Sequence, residues 1–450
     1  MSTQHLLDPL FTTRAMREVF SDRQRIQRML DFEAALGRAI ASEEIAPRKA
    51  AEAIEACCRA ELYSAEELSR AATLAGNAAI PLVRALTAEV AKKDAQAAGY
   101  VHWGATSQDA IDTGLVLQIR EALEVFDAGL KRLANRLATL AQKYAGTAMA
   151  GRTWLQQAPP VTLGLKIAGW LDAIERHRER LGEARGRALA LQFGGAVGTL
   201  AALGEHGTKV ARALAKELRL ALPAMPWHAH RDRMAEVAAA LGLLVGTLGK
   251  MARDVSLLMQ TEVGEASEPG GAGRGGSSTM PHKRNPVASA VILSAAIRVP
   301  GLVATMFATM PQEHERGLGG WQAEWETLPE VFLLAHGALE RAIEIAEGLE
   351  ADEAKMKANL GITHGMILTE AVTFALAKKI GKREAFTLME EACRKAASDG
   401  RSLATILSED ARIAKLMTQE EIAARLEPEN YMGASAEWIE AVLAARKAAR

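Results

Sequence analysis

From Ser277 to Asn285, nine consecutive residues supply hydroxyl, imidazole, ammonium, guanidinium and carboxamide groups within the segment GSSTMPHKRNP (Gly276–Pro286). No acidic residue falls between Glu268 and Glu313. Donors crowded together with no acid among them suit an anion, and a carboxylate above all. The glycines from Gly270 to Gly276 relieve the steric bar on φ, so 264–286 reads as a mobile loop able to close over a substrate. Gly271, Gly273 and Gly276 also meet the dinucleotide spacing G-x-G-x-x-G, but no strand precedes them. Ser277 stands where a phosphate-binding loop requires lysine. A solvated linker whose serines cap the next helix is the plainer alternative.

Further segments gather polar side chains. HWGATSQDAIDT (His102–Thr113) places Thr106, Ser107, Gln108 and Asp109 ahead of a helix expected from about Asp112. That is either an anion cradle at a helix N-terminus or an ordinary cap. GRTWLQQAPP (Gly151–Pro160) brings Arg152, Thr153 and Gln156 together, and its prolines end any helix there. PQEHERGLGG, from Pro311, holds His314 and Arg316. Arg152 and Arg316 could clamp a carboxylate bidentately, and Arg152 could equally serve an internal ion pair. Histidine suits proton transfer near neutral pH, and His102, His282 and His314 adjoin these segments. His314 stands first because it lies in a charged cluster. His177, His206, His228, His230, His336 and His364 receive no role.

The elements that must position these groups read as helices. Hydrophobic residues make up 49% of the 450 and aromatics only 4%, so alanine and leucine, both good helix formers, do most of the packing. Long helical patterns run from about Asp112 to Tyr144, Val161 to Leu189, Arg231 to Glu262 and Pro286 to Met310, with Pro300 expected to kink or break the last. The Arg231 pattern is apolar nearly all round and should be buried among other helices. Shorter pieces precede and follow, giving an all-α chain in three parts: 1–110, a long-helix bundle over 111–350, and 351–450.

A formal net charge of −1 gives no global field for nucleic acid or an anionic membrane. Three cysteines, two of them adjacent, suggest reduced thiols in the cytoplasm. The N-terminus has no signal-peptide pattern, and no unbroken apolar run reaches a membrane span. His228 and His230 lack a third ligand at a recognisable spacing, so no metal is expected.

GSSTMPHKRNP resembles the signature of the fumarase/aspartase superfamily, and the segments at Thr106 and at Gly151 match its two other shared regions. The likeness therefore covers most of the chain. It implies the same three-domain all-α fold, assembled as a homotetramer whose active sites draw on different subunits, with no cofactor. It implies that Ser277 transfers the proton and that Lys283 and Asn285 hold a substrate carboxylate. Thr106, Ser107, Thr153 and Gln156 would contact carboxylate oxygens. His102, Arg152, Trp154, Ser278, Met280, His282 and Arg316 would line the substrate site.

Departures from the family pattern narrow the chemistry. The family's usual second-region histidine is replaced by Trp154, and an indole cannot shuttle protons near neutral pH. Gly76-Asn77-Ala78-Ala79 lacks the histidine–aspartate pair of the adenylosuccinate branch, and Trp325 stands where its phosphate-binding arginine is expected. Tryptophan after GRT, with AGNAAIPLV, GATSQDAIDTG and QEHERGLG, is similar to the family's carboxymuconate-lactonising branch. That implies a cycloisomerase closing a lactone on a small tricarboxylate. A succinate lyase, a cycloisomerase for a sulfonated relative, and a helical scaffold without activity remain as alternatives.

Overall fold

The computed structural model describes residues 6–271 and 273–448. These are mainly helical, and their strands form two short antiparallel pairs. Helix α1 (Asp22–Ser42) starts where the Ser21 hydroxyl accepts the Gln24 amide, and it buries Ile26, Met29, Leu30 and Phe32. The long helices are α2 (Ser107–Lys143), α3 (Leu163–Ala188), α4 (Asp232–Leu258), α5 (Val287–Ala308) and α6 (Gly320–Gly348).

Three local outcomes differ from the sequence reading. Helix α2 begins at Ser107 rather than Asp112, because the Asp109 carboxylate reaches back to the Thr106 amide at 3.0 Å and closes the first turn. Helix α5 continues through Pro300, so of the kink or break expected there the break does not occur. An interior proline costs about 3 kcal/mol, and burial of Ile292, Val299 and Met306 outweighs it. The segment from Ala148 to Thr162 is a β-hairpin, with β1 (Ala148–Thr153) pairing β2 (Gln156–Thr162). Its two-residue turn puts Trp154 and Leu155 at φ 51° and 65°, the left-handed pair that closes tight hairpins but strains residues other than glycine.

The contacts divide the chain into two compact units, and each boundary falls inside one of the helices α2 to α6. The first unit takes the chain up to Leu130, His177–Gly249 and Val291–Arg341. Its core includes Phe32, Phe126 and Phe332, the last two in edge contact at 6.0 Å. The second unit takes Lys131–Arg176, Lys250–Ala290 and Ala342 onward. Val372, Leu376, Leu388, Met389, Leu403, Ile406 and Leu407 build its C-terminal core.

Helices α4 and α5 have the length and apolar content of a membrane span, although polar residues interrupt the apolar runs. In α4 61% of the most apolar stretch is buried within the chain, as expected of a core helix; in α5 only 33% is, and Ile297 and Phe307 stand exposed.

Candidate active site

In the first unit the polar groups at the start of α2 sit on a buried network. Asp109, fully buried, accepts five hydrogen bonds: from the amides of Thr106, Gly194 and Gly195, from Gln192 Nε2, and from His228 Nε2 at 2.9 Å. It therefore ties the turn carrying Thr106 and Ser107 to the glycine-rich segment at 194. One residue on, Gln108 donates to Asp112 Oδ2 and to the His228 carbonyl.

Asp112 in turn receives both Nη atoms of Arg231 at 2.7 and 3.1 Å and the Trp321 indole N–H at 3.0 Å. The other edge of the Arg231 guanidinium binds Glu324, with Nη2 at 2.6 Å. Burial pushes the Glu324 carboxyl above its ordinary range, against the pull of Arg231. One buried cation thus serves two buried carboxylates.

Arg316 lies on the exposed edge of this network. Its Nε donates to Gln108 Oε1 at 3.0 Å, and its Nη2 to Thr106 Oγ1 and the Ala196 carbonyl at 3.1 Å. Among the described residues it faces no carboxylate, so its charge is available to an anion. His314 is exposed in a left-handed turn at φ 48°. His102 is also left-handed (φ 58°), and its Nδ1 meets the buried Glu33 at 2.6 Å. Burial pulls the imidazole down, but the charge and hydrogen bond of Glu33 prevail and raise it above the usual histidine value.

In the second unit the hairpin presents Thr153, Trp154 and Gln156 to solvent, with Trp154 98% exposed. Arg152 points elsewhere: its Nη1 and Nη2 bind the two oxygens of buried Glu265 at 2.8 and 2.6 Å, and Asn359 donates to the same carboxylate. Of the two readings left open for Arg152, the internal ion pair is the one seen.

The signature loop carries Ser277, Ser278, Met280, His282, Lys283 and Asn285 at or near the surface. The amides of Met280 and Thr279 donate to Ser277 Oγ at 3.1 and 3.3 Å, an arrangement that favours negative charge on that oxygen. The Lys283 ammonium has no partner among the described residues. The Asn285 amide closes on the Gly275 carbonyl at 2.8 Å. Gly275 sits at φ +64°, where a Cβ would come within 2.7 Å of the Asn285 carbonyl oxygen, so glycine is required there.

Neither loop serine caps α5. Glu268, far back in the sequence, accepts the Ala288 and Ser289 amides and the Ser289 hydroxyl at 2.6–2.9 Å. Glu33, Gln108, Asp109, Gln192, His228 and Arg231 hold the polar groups of the first unit from behind, and Glu265 holds Arg152 in the second; no sequence motif marks them. Only the closeness of Gln108 and Asp109 to Thr106 hinted at two of them. Among the described residues no cluster of three metal-binding side chains occurs.

Comparison with known proteins places the chain in a family. Residues 11–301 match the lyase family and residues 365–442 match the C-terminal region described for adenylosuccinate lyase. A 3-carboxy-cis,cis-muconate cycloisomerase of Pseudomonas aeruginosa is 58% identical over 98% of this chain and 96% of its own length. One from Pseudomonas putida is 54% identical over 93% of this chain and all of its own length. The crystal structure of the 3-carboxy-cis,cis-muconate lactonizing enzyme of Pseudomonas putida superposes with a TM-score of 0.94 at 52% identity, covering 99% of both chains. An all-α chain with this signature loop, matched along its length by these lyases and cycloisomerases, belongs to the fumarase/aspartase lyase family.

Proposed function

We propose that this protein is an isomerase, an intramolecular lyase that converts 3-carboxy-cis,cis-muconate to 4-carboxymuconolactone, a step of protocatechuate breakdown in the β-ketoadipate pathway. The observation that carries the reading is the near-full-length identity to cycloisomerases that act on this substrate.

In the reaction a substrate carboxylate oxygen bonds to one carbon of a C=C bond, and the neighbouring carbon gains a proton. Charge builds on the carboxylate conjugated to that carbon as an enolate-like aci-carboxylate. Lys283 and Asn285, with Thr106, Ser107, Thr153 and Gln156, hold the carboxylates and stabilise this charge. Arg316 adds a clamp for the third carboxylate, and its freedom from internal acids supports that role. Ser277 delivers the proton to carbon; the Thr279 and Met280 amides stabilise the alkoxide left behind. His314, with His282 and His102 as further histidines of the site, returns a proton from solvent. Trp154 replaces a proton-shuttling group with an apolar wall, and Ser278 and Met280 complete the lining. No cofactor takes part in this scheme.

The exposed apolar residues of α5 support assembly of the chain as a homotetramer with active sites shared between subunits, since burial against other copies would cover that face. The three-domain division at about 110 and 350 belongs to the same reading. The unpaired state of Cys57, Cys58 and Cys393 supports a cytoplasmic location.

Turning a carboxylate into an ester while a carbon gains hydrogen consumes one proton per turnover. The test is therefore loss of the diene absorbance of 3-carboxy-cis,cis-muconate together with proton uptake in a weakly buffered indicator solution. Loss of the band with matching proton uptake supports the reading. An unchanged spectrum at high enzyme concentration sinks it.

A further inference from the structure

The signature segment contains two adjacent cations, and the structure treats them differently. Among the described residues Lys283 has no partner, whereas Arg284 makes three hydrogen bonds. Its Nη1 and Nη2 bind the two oxygens of Glu350 at 2.9 and 3.1 Å, and Nη2 also donates to the Glu268 carbonyl at 2.7 Å. Glu350 meanwhile accepts the Gly270 amide at 3.1 Å, so one carboxylate grips the loop on both its upstream and downstream sides. The hydrogen bond from Arg284, and then the Gly270 amide, hold its carboxyl below the ordinary range.

Glu350 is itself fixed in place. It lies in β4 (Glu350–Ala351), which pairs with β3 (Ala266–Ser267), so the start of the 264–286 segment is a strand and the loop proper begins after it. Two residues before Glu350 the chain packs closely on the start of the loop: a Cβ on Gly348 would lie 2.4 Å from Pro269. On the far side Glu268 caps α5 directly after the loop, through Ala288 and Ser289. Both stems of the loop are thereby pinned to one point, and the segment with Ser277 and Lys283 is strung between them.

We propose that Arg284 and Glu350, braced by Glu268, are positioning residues that anchor the catalytic loop and set where Ser277, Lys283 and Asn285 stand, and that Arg284 is not a substrate contact. The inference rests on the cycloisomerase reading for its kinetic consequence, though not for its structural one. A bidentate pair at a loop base narrows the conformations from which the loop closes, so its loss lowers the fraction of productive encounters. Because both side chains are substantially exposed, the effect is modest.

The test uses full-length Glu350→Gln, Arg284→Gln and the double variant. Rates with 3-carboxy-cis,cis-muconate, thermal melting, and the rate of tryptic cleavage after Lys283 in Glu350→Gln against the parent protein are compared. Glu350→Gln is expected to lower kcat/KM roughly two- to fivefold, to speed that cleavage, and to leave the melting temperature unchanged. The double variant is expected to be no slower than Arg284→Gln, because the two residues act through each other.

If Arg284 instead clamped substrate, Arg284→Gln would raise KM while Glu350→Gln left the rate untouched; that result overturns the proposal. So does a double variant whose loss is the product of the single losses. If the parent protein shows no turnover, the cycloisomerase reading fails. The cleavage rates then still decide the anchor, and equal rates for Glu350→Gln and the parent overturn it.

Discussion

Arg231→Gln is the perturbation whose consequence follows most directly from the structure. The side chains of Arg231, Asp112 and Glu324 are 1%, 1% and 0% exposed, and the guanidinium makes close hydrogen bonds to both acids. At about 4 Å and an effective dielectric near 20, each attraction is on the order of 4 kcal/mol. Removing the cation leaves two carboxylates buried without it, and the cost of breaking such a pair is about 3–5 kcal/mol. Glutamine is a demanding control, since it can still donate hydrogen bonds but carries no charge.

Some relief is available, because burial already raises Glu324. In the variant it would rise further, and a carboxyl raised in the folded state contributes stability that is present at low pH and lost as pH rises through its folded pKa. The loss should therefore be largest at pH 8 and shrink toward pH 5. Urea denaturation followed by tryptophan fluorescence reads it locally. Trp227 stacks 4.9 Å from the guanidinium, and Trp321 donates to Asp112. A variant within about 1 kcal/mol of the parent at pH 8 would refute the argument that charge, rather than shape, dominates this site. A loss that grows as pH falls would refute it equally.

Three further outcomes are expected. Ser277→Ala should lower kcat by about 10²–10⁴-fold, the usual range for a proton-transferring group, while circular dichroism stays unchanged because Ser277 sits on a surface loop. Glu33→Gln removes the carboxylate that raises His102; a histidine raised in the folded state gives stability that is full below its unfolded value and lost as pH rises through its folded one. Parent and variant should thus differ by about 1–3 kcal/mol near pH 6 and converge toward pH 9, and a gap that widens with pH would count against the pair. Leu155→Gly relieves a left-handed residue that is 76% exposed, so the hairpin should gain about 1 kcal/mol, read as a higher urea midpoint; a lower midpoint would mean that the leucine packs usefully.

Much of this protein was legible in the order of its residues. Helix periodicity over α2 to α5 needs only local information, because side chains three and four apart share a face and alanine and leucine favour that backbone. The signature loop was legible for the same reason: glycines and donors lie side by side in nine or ten residues around Ser277. The Ala148–Thr162 hairpin was less so, since its turn uses Trp154 and Leu155 where Asn-Gly would announce it.

What only the tertiary structure decided is which charges are free. Arg152, Lys283, Arg284 and Arg316 look alike as cations beside shared motifs, yet two of them are already spent. Arg152 meets Glu265 across 113 residues and Arg284 meets Glu350 across 66, whereas Lys283 and Arg316 meet no acid among the described residues. Sequence proximity determines local backbone and donor density, but a Coulombic partner can come from anywhere in the chain. An ion pair is settled by where the fold brings the acid, and the cations left to meet an anion in each unit are those that remain once such pairs have formed.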